Sequence, residues 1–166
     1  MKLLAVLLLF PALASAAMTP QDIREQVHKY GTVEFSAKVS PNEWKAVLDN
    51  ISSGKGEWIA LAPDLAPAIN LQQANQLTDA LYYALAPNAK ETLKVLAILD
   101  KHHDKYQQGT ALSCVSPLDK PKDEMLRIYN HTRLSLLDAG PQAAECLWSL
   151  EGWIEEVKAE EAQKAK

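Results

Sequence analysis

The chain has 166 residues, 48% of them hydrophobic and 23% charged, with 17 Lys and Arg against 21 Asp and Glu for a net charge of -4. That composition excludes a disordered tract, a collagen and a disulfide-dense mini-protein. With no basic excess to neutralise phosphates, nucleic-acid binding is excluded as a main task. Only six glycines are available, and no Walker or dinucleotide glycine pattern occurs.

Residues 1–16 read MKLLAVLLLFPALASA. Lys2 supplies the positive start, Leu3 to Phe10 an unbroken apolar stretch, and Ala14-Ser15-Ala16 a small-x-small cleavage signal. These are the marks of a secretory signal peptide. The apolar run is too short for the roughly 20 residues that a membrane-spanning helix needs. No cysteine follows the cleavage point to take a lipid. The expected layout is a signal peptide at 1–16, a single helical domain at 17–158 and a polar tail at 159–166. Removal of the signal leaves 16 basic against 21 acidic residues, a net charge of -5. The short Leu/Ala-rich signal points to the periplasm, and no later run is long enough to span a membrane. Two triplets, Asn50-Ile51-Ser52 and Asn130-His131-Thr132, match the eukaryotic glycosylation acceptor pattern.

Thr19-Pro20 predicts a short helix over about 20–29, capped by Thr19 with Asp22 in its first turn and stopped at Gly31. Residues 32–39 alternate loosely and read as extended. Ser40-Pro41-Asn42-Glu43 is a capping box, and Trp44, Val47, Leu48 and Ile51 then share one helical face. Gly54 ends that helix. A second, shorter helix carries Trp58, Ile59, Leu61, Ala62 and Leu65, broken by Pro63 and Pro67. Asn70 to Gln73 has capping-box spacing. Leu71, Ala74, Leu77, Thr78, Leu81, Tyr82 and Leu85 form one stripe behind it. Pro87-Asn88 is expected to close that helix and cap another, which is apolar on several sides and therefore central. Residues 109–121 read as a loop, 122–138 as a helix with Met125, Ile128, Tyr129, Thr132 and Leu136 inward, and 142–158 as the last helix. Short connections imply antiparallel neighbours. The expected fold is all-α, with six or seven helices in an αα-superhelix-like array or an irregular bundle.

Cys114 and Cys146 are the only cysteines. An even count outside the cytosol reads as one disulfide, closing a 33-residue loop and stapling the last two helices together. The alternative, a reactive thiol or a metal-ligand pair, has no Cys-x-x-Cys and no histidine near either cysteine to support it.

The segment Trp44-x2-Val47-x3-Ile51-x2-Gly54-x3-Trp58-x2-Leu61-Ala62-x2-Leu65-x-Pro67 continues as Leu77-x2-Ala80-Leu81-x2-Ala84-Leu85-x2-Asn88. It resembles small exported helical proteins of Gram-negative bacteria that mostly carry no assigned activity. Disulfide-stapled periplasmic helical proteins also include immunity proteins against cell-wall-degrading toxins, an analogy of class. No functional residue is carried over from either.

Chemistry-bearing patterns are sparse. Asp100, His103 and Asp104 fall at i, i+3 and i+4, a feasible carboxylate–imidazole face for a metal if His28 or His131 joined it. The plainer reading is a solvated helix end, where Lys101, His102, His103 and Lys105 suit the negative end of the dipole. Neither His-Glu-x-x-His nor Gly-x-Ser-x-Gly occurs. Glu155-Glu156 and Glu160-Glu161 lie among lysines and read as a solvated face. Of four tryptophans, Trp44 and Trp58 sit on apolar stripes. On the last helix, Cys146, Leu150, Trp153, Ile154 and Val157 define the inward stripe, and Trp148 falls off it. Trp148 is therefore either covered by a neighbouring loop or the N-terminal segment, the plainer reading, or partly exposed, which makes it the candidate partner-binding residue.

The expected function is therefore that of a non-catalytic periplasmic protein with no cofactor, acting by binding another protein, for example as an immunity or inhibitor protein. A small metal-dependent or hydrolytic enzyme using residues 100–104, and an envelope accessory or scaffold protein, are the alternatives.

Overall fold

The computed structural model describes residues 18–102, 105, 106, 108–117 and 120–164. The predicted signal peptide lies outside them. Among the described residues there are eight α-helices and no strand.

Helix α1 spans Pro20–Lys38. Its start is a full capping box. Thr19 accepts from the Asp22 amide at 3.2 Å, and Asp22 accepts from the Thr19 amide at 2.7 Å. The extended segment expected at 32–39 is instead helical. Gly31 does leave helical geometry, at φ 70°, but the helix resumes on its far side. Fully buried Phe35 and the buried Val39 anchor that second segment, so core packing overrides the local break.

Helix α2, Pro41–Ser52, carries the predicted capping box at Ser40 and Glu43. Trp44, Val47 and Ile51 are buried on one face. Gly54 comes next at φ 81°. It is also a close approach: a Cβ there would come within 2.8 Å of the Pro87 ring. Two single turns lie beyond it, α3 (Gly56–Ile59) and α4 (Ala62–Leu65), ahead of a 3-10 turn at Ala66–Ala68. Pro63 and Pro67 divide this stretch as expected.

Helix α5 spans Leu71–Leu99 and is the hub of the fold, packing on α2, α3, α4, α6 and α7. The two helices expected here are one kinked rod, because only Asn88 leaves helical geometry (φ -151°, ψ 64°) after Pro87. Asn88 still caps the second half of the rod, its Oδ1 accepting from the Glu91 amide at 3.3 Å, while its Nδ2 donates to the Gly54 carbonyl at 2.9 Å. The kink and the α2–α3 turn thus hold each other.

The predicted loop at 109–121 contains one helical turn, α6 (Thr110–Ser113). Helix α7 spans Lys122–Ala139, with Thr132 and Leu136 buried and Met125, Ile128 and Tyr129 partly so. After a 3-10 turn at Pro141–Ala143, α8 runs Ala144–Lys164. Its helix extends six residues past the expected end at 158. Exposed lysine and glutamate pairs, Lys158 with Glu155 and Lys164 with Glu160, decorate this last stretch.

Cys114 and Cys146 form the expected disulfide, with Cα atoms 5.1 Å apart. Both are buried. Helix α8 packs chiefly on α7, α6 and the preceding 3-10 turn, so the disulfide is its covalent tie to the body. Among the described residues no helix is long and apolar enough to cross a membrane. One continuous apolar cluster runs from Ile23 on α1 to Ile154 on α8.

Candidate functional site

Asp100 sits at the C-terminal end of α5, where the metal face was expected. Its carboxylate accepts from the Thr110 amide at 2.9 Å and from the Thr110 hydroxyl at 2.6 Å. It therefore caps α6 from ten residues away and closes the intervening loop. Gly109 lies against this closure, and a Cβ on it would push the Asp100 carboxylate out of its place. The same loop is pinned by buried Gln108, whose Nε2 donates to the Ala74 carbonyl at 3.0 Å. His103 and Asp104, the other two members of the expected face, lie outside the described residues. His28 and His131 are exposed on α1 and α7. No group of three or more His, Cys, Asp or Glu side chains able to hold a metal occurs among the described residues. On α8, Glu155 is engaged by Lys158 and Glu161 by Lys122 across to α7.

Tyr82 is the one titratable group of the deep core among the described residues. Its hydroxyl lies beside those of Ser116 and Thr132 without a well-formed hydrogen bond to either. Burial pushes it above the ordinary tyrosine range, with the two neighbouring hydroxyls pulling the other way. Tyr82 is fully shielded from solvent, so it is placed to pack α5 against α7 rather than to meet a substrate.

The tryptophans divide as the spacing predicts. Trp44, Trp58 and Trp153 are 6%, 8% and 9% exposed, and Trp148 is 79% exposed. Trp148 lies two residues after Cys146, on the opposite side of α8 from Leu150 and Ile154, which are buried. Residues four positions away cover a helical side chain. For Trp148 these are Ala144 and Gly152, both small, with Glu145 and Glu151 at the three-residue spacing, and the space where a Gly152 Cβ would sit is open. The indole is therefore bare on a helix that a disulfide holds in place. Leu112 on α6 is a second exposed apolar side chain on the disulfide-linked segment. Further apolar exposure lies on α7 at Leu134 and Leu137.

A groove between α1, α2 and the start of α5 went unseen in the sequence. Ser36, Asn70 and Gln73 form a closed polar network there, with Ser36 Oγ donating to Gln73 Oε1 at 2.7 Å and Asn70 Nδ2 donating to Ser36 Oγ at 2.9 Å. Asn70 and Gln73 were legible as a capping pair. Their partner on α1 was not, because it stands 34 residues from Asn70 and in a segment read as extended.

No family description, curated protein or solved structure matches this chain.

Proposed function

We propose that this chain is an exported, non-catalytic protein that acts in the periplasm by binding another protein through the outer face of α8, in the manner of an inhibitor or immunity protein. Trp148 carries the reading. A tryptophan offers the largest apolar surface of any side chain, and such residues anchor interfaces when they stand on a rigid support. Burying about 200 Å² of indole is worth roughly 5 kcal/mol before the costs of association. The folded chain leaves that surface in water. The signal-like segment at 1–16 and the disulfide support an oxidising, extracytoplasmic setting. The acidic balance suits a basic partner surface by steering its approach.

The test is crosslinking of the tagged protein in the envelope of its own host, with Trp148→Ala run in parallel. One dominant partner captured by the wild type and lost with Trp148→Ala is the expected result, with a loss of affinity of roughly 30- to 1000-fold for the purified pair. Equal capture by both proteins, or no partner enriched over repeated experiments, would refute the reading.

A further inference from the structure

The groove between α1, α2 and α5 has a composition that selects a ligand class. It encloses about 460 Å³ along Trp44, Leu48 and the glutamines of α5. Through Ser36 and Asn70 it continues into a second hollow of about 270 Å³ that ends at Lys105 and Tyr106. Together these match the size of small-molecule sites.

Among the described residues, its polar lining is made of neutral side chains and two lysines, with no carboxylate. Both lysines are already engaged, Lys45 by Asp49 and Lys105 by the Tyr106 ring. Asp49 balances Lys45 at the rim of the larger hollow, and Lys105 stands only at the far end of the smaller one, so the stretch between Trp44 and Asn70 favours neither sign of charge. What remains is a row of primary amides, the side chains that offer a donor and an acceptor on one group. Gln72 is exposed on α5, and Gln76 stands one helical turn further on. Gln76 Oε1 accepts from Trp44 Nε1 at 2.8 Å. That bond fixes which way the amide faces and leaves its NH2 group as a donor, with no hydrogen bond to another described residue. Gln73 and Asn70 are held by Ser36 and by each other. Asn70, Gln73 and Gln76 are thus oriented before any ligand arrives, which lowers the cost of binding, and exposed Gln72 adds a further amide beside them. Val39, Pro41 and Leu48 add apolar surface to the same groove.

A groove lined by both apolar side chains and amides complements a pyranose ring, which has an apolar C–H face and a polar edge of hydroxyls, each both donor and acceptor. An extended peptide would instead require alternating side-chain pockets. We propose that this groove binds a neutral saccharide chain, with Gln72 and Gln76 as its principal hydrogen-bonding residues. The site is separate from Trp148 and stands whether or not α8 engages a protein.

Trp44 gives a direct readout, because its indole N–H is bonded to Gln76. The purified, ¹⁵N-labelled protein would be titrated with chitotetraose, cellotetraose and maltotetraose while the indole N–H signals are followed. At least one of them should shift the Trp44 signal saturably and leave that of Trp148 in place. Gln72→Ala should weaken that binding about tenfold with an unchanged thermal midpoint, and Gln76→Ala should weaken it as much while also lowering the midpoint, because it leaves the Trp44 indole N–H without its acceptor. No shift with any of the three up to about 10 mM would overturn the proposal. So would equal binding by both variants, or a neutral peptide moving the same signals at lower concentration than the saccharides.

Discussion

Replacing both Cys114 and Cys146 by alanine removes the one covalent cross-link between α8 and the rest of the fold. Alanine is the suitable replacement, since both positions are buried and a serine would bring in a hydroxyl without a partner. The bridge spans a sequence separation of 32 residues. Loop-closure entropy for a ring of that size amounts to about 3.7 kcal/mol at 25 °C. Loss of two buried sulfurs adds roughly 1 kcal/mol of packing. The expected total, about 4–5 kcal/mol, is a large share of the roughly 5–15 kcal/mol that stabilises a typical domain. At a urea slope near about 2 kcal/mol/M, the unfolding midpoint should fall by about 2 M. Urea titrations followed by circular dichroism would measure this, with reductant added to the wild type as the arm that leaves side chains unchanged. Hydrogen exchange adds a local readout. Helix α8 rests mainly on α7, α6 and the turn before it, so its amides should lose protection before those of α5. A loss below about 1 kcal/mol would refute the loop-closure argument. Uniform loss of protection across α5 and α8 would refute the claim that α8 depends on the bridge.

Three further outcomes are expected from the packing and the caps. Trp148→Ala should leave the thermal midpoint within about 1 °C of wild type, whereas Trp44→Ala should cost about 3–5 kcal/mol, and paired thermal melts would separate the two. The carboxyls of Asp22 and Glu43 are held below their ordinary values, Asp22 first by the Thr19 amide and then its hydroxyl, Glu43 first by the Ser40 hydroxyl and then its amide. A folded pKa below the unfolded one means that the caps stabilise above the ordinary carboxylate range and that this is lost as pH falls through the folded values. The urea midpoint should therefore drop between about pH 5 and 3, and less steeply in Glu43→Gln. Asp100→Ala should cost about 1–3 kcal/mol by uncapping α6 and should speed proteolysis between residues 100 and 110. Unchanged cleavage there would mean that the Thr110 bonds do not hold the loop.

Features that depend on near neighbours were legible before folding was considered. The capping boxes at 40–43 and 70–73 need only a spacing of three, and both are formed. The inward stripe of α8 follows from helical period alone, and so does the place of Trp148 off it, though not its exposure, since a neighbouring segment could have covered it. The disulfide followed from there being only two cysteines. Where the chain had a local choice, tertiary contacts made it. Gly31 can end a helix or kink one, and the burial of Phe35 selects the kink. Pro87 and Asn88 could separate two helices, yet the Asn88 bond to the Gly54 carbonyl is part of a continuous kinked rod.

The candidate sites divide along the same line. Asp100, His103 and Asp104 share a spacing that suits a metal; His103 and Asp104 lie outside the described residues, and Asp100 accepts two bonds from Thr110, a partner that no local rule could pair with it. In the two acceptor triplets Thr132 and Ile51 are fully buried within helices, while Asn50 is half-buried and Asn130 exposed. Sequence by itself determined the all-α class, most helix starts, the disulfide and the place of Trp148 off the inward stripe, because each rests on interactions within about four residues or on elimination, whereas the exposure of Trp148 was decided by the absence of any covering segment among the described residues. Only the tertiary structure decided the partner of Asp100, the hub role of α5 and the groove that joins Ser36 to Asn70 and Gln73. Those contacts close loops that run from ten residues at Asp100 and Thr110 to 37 at Ser36 and Gln73, and their partners are chosen by the packing of the whole core.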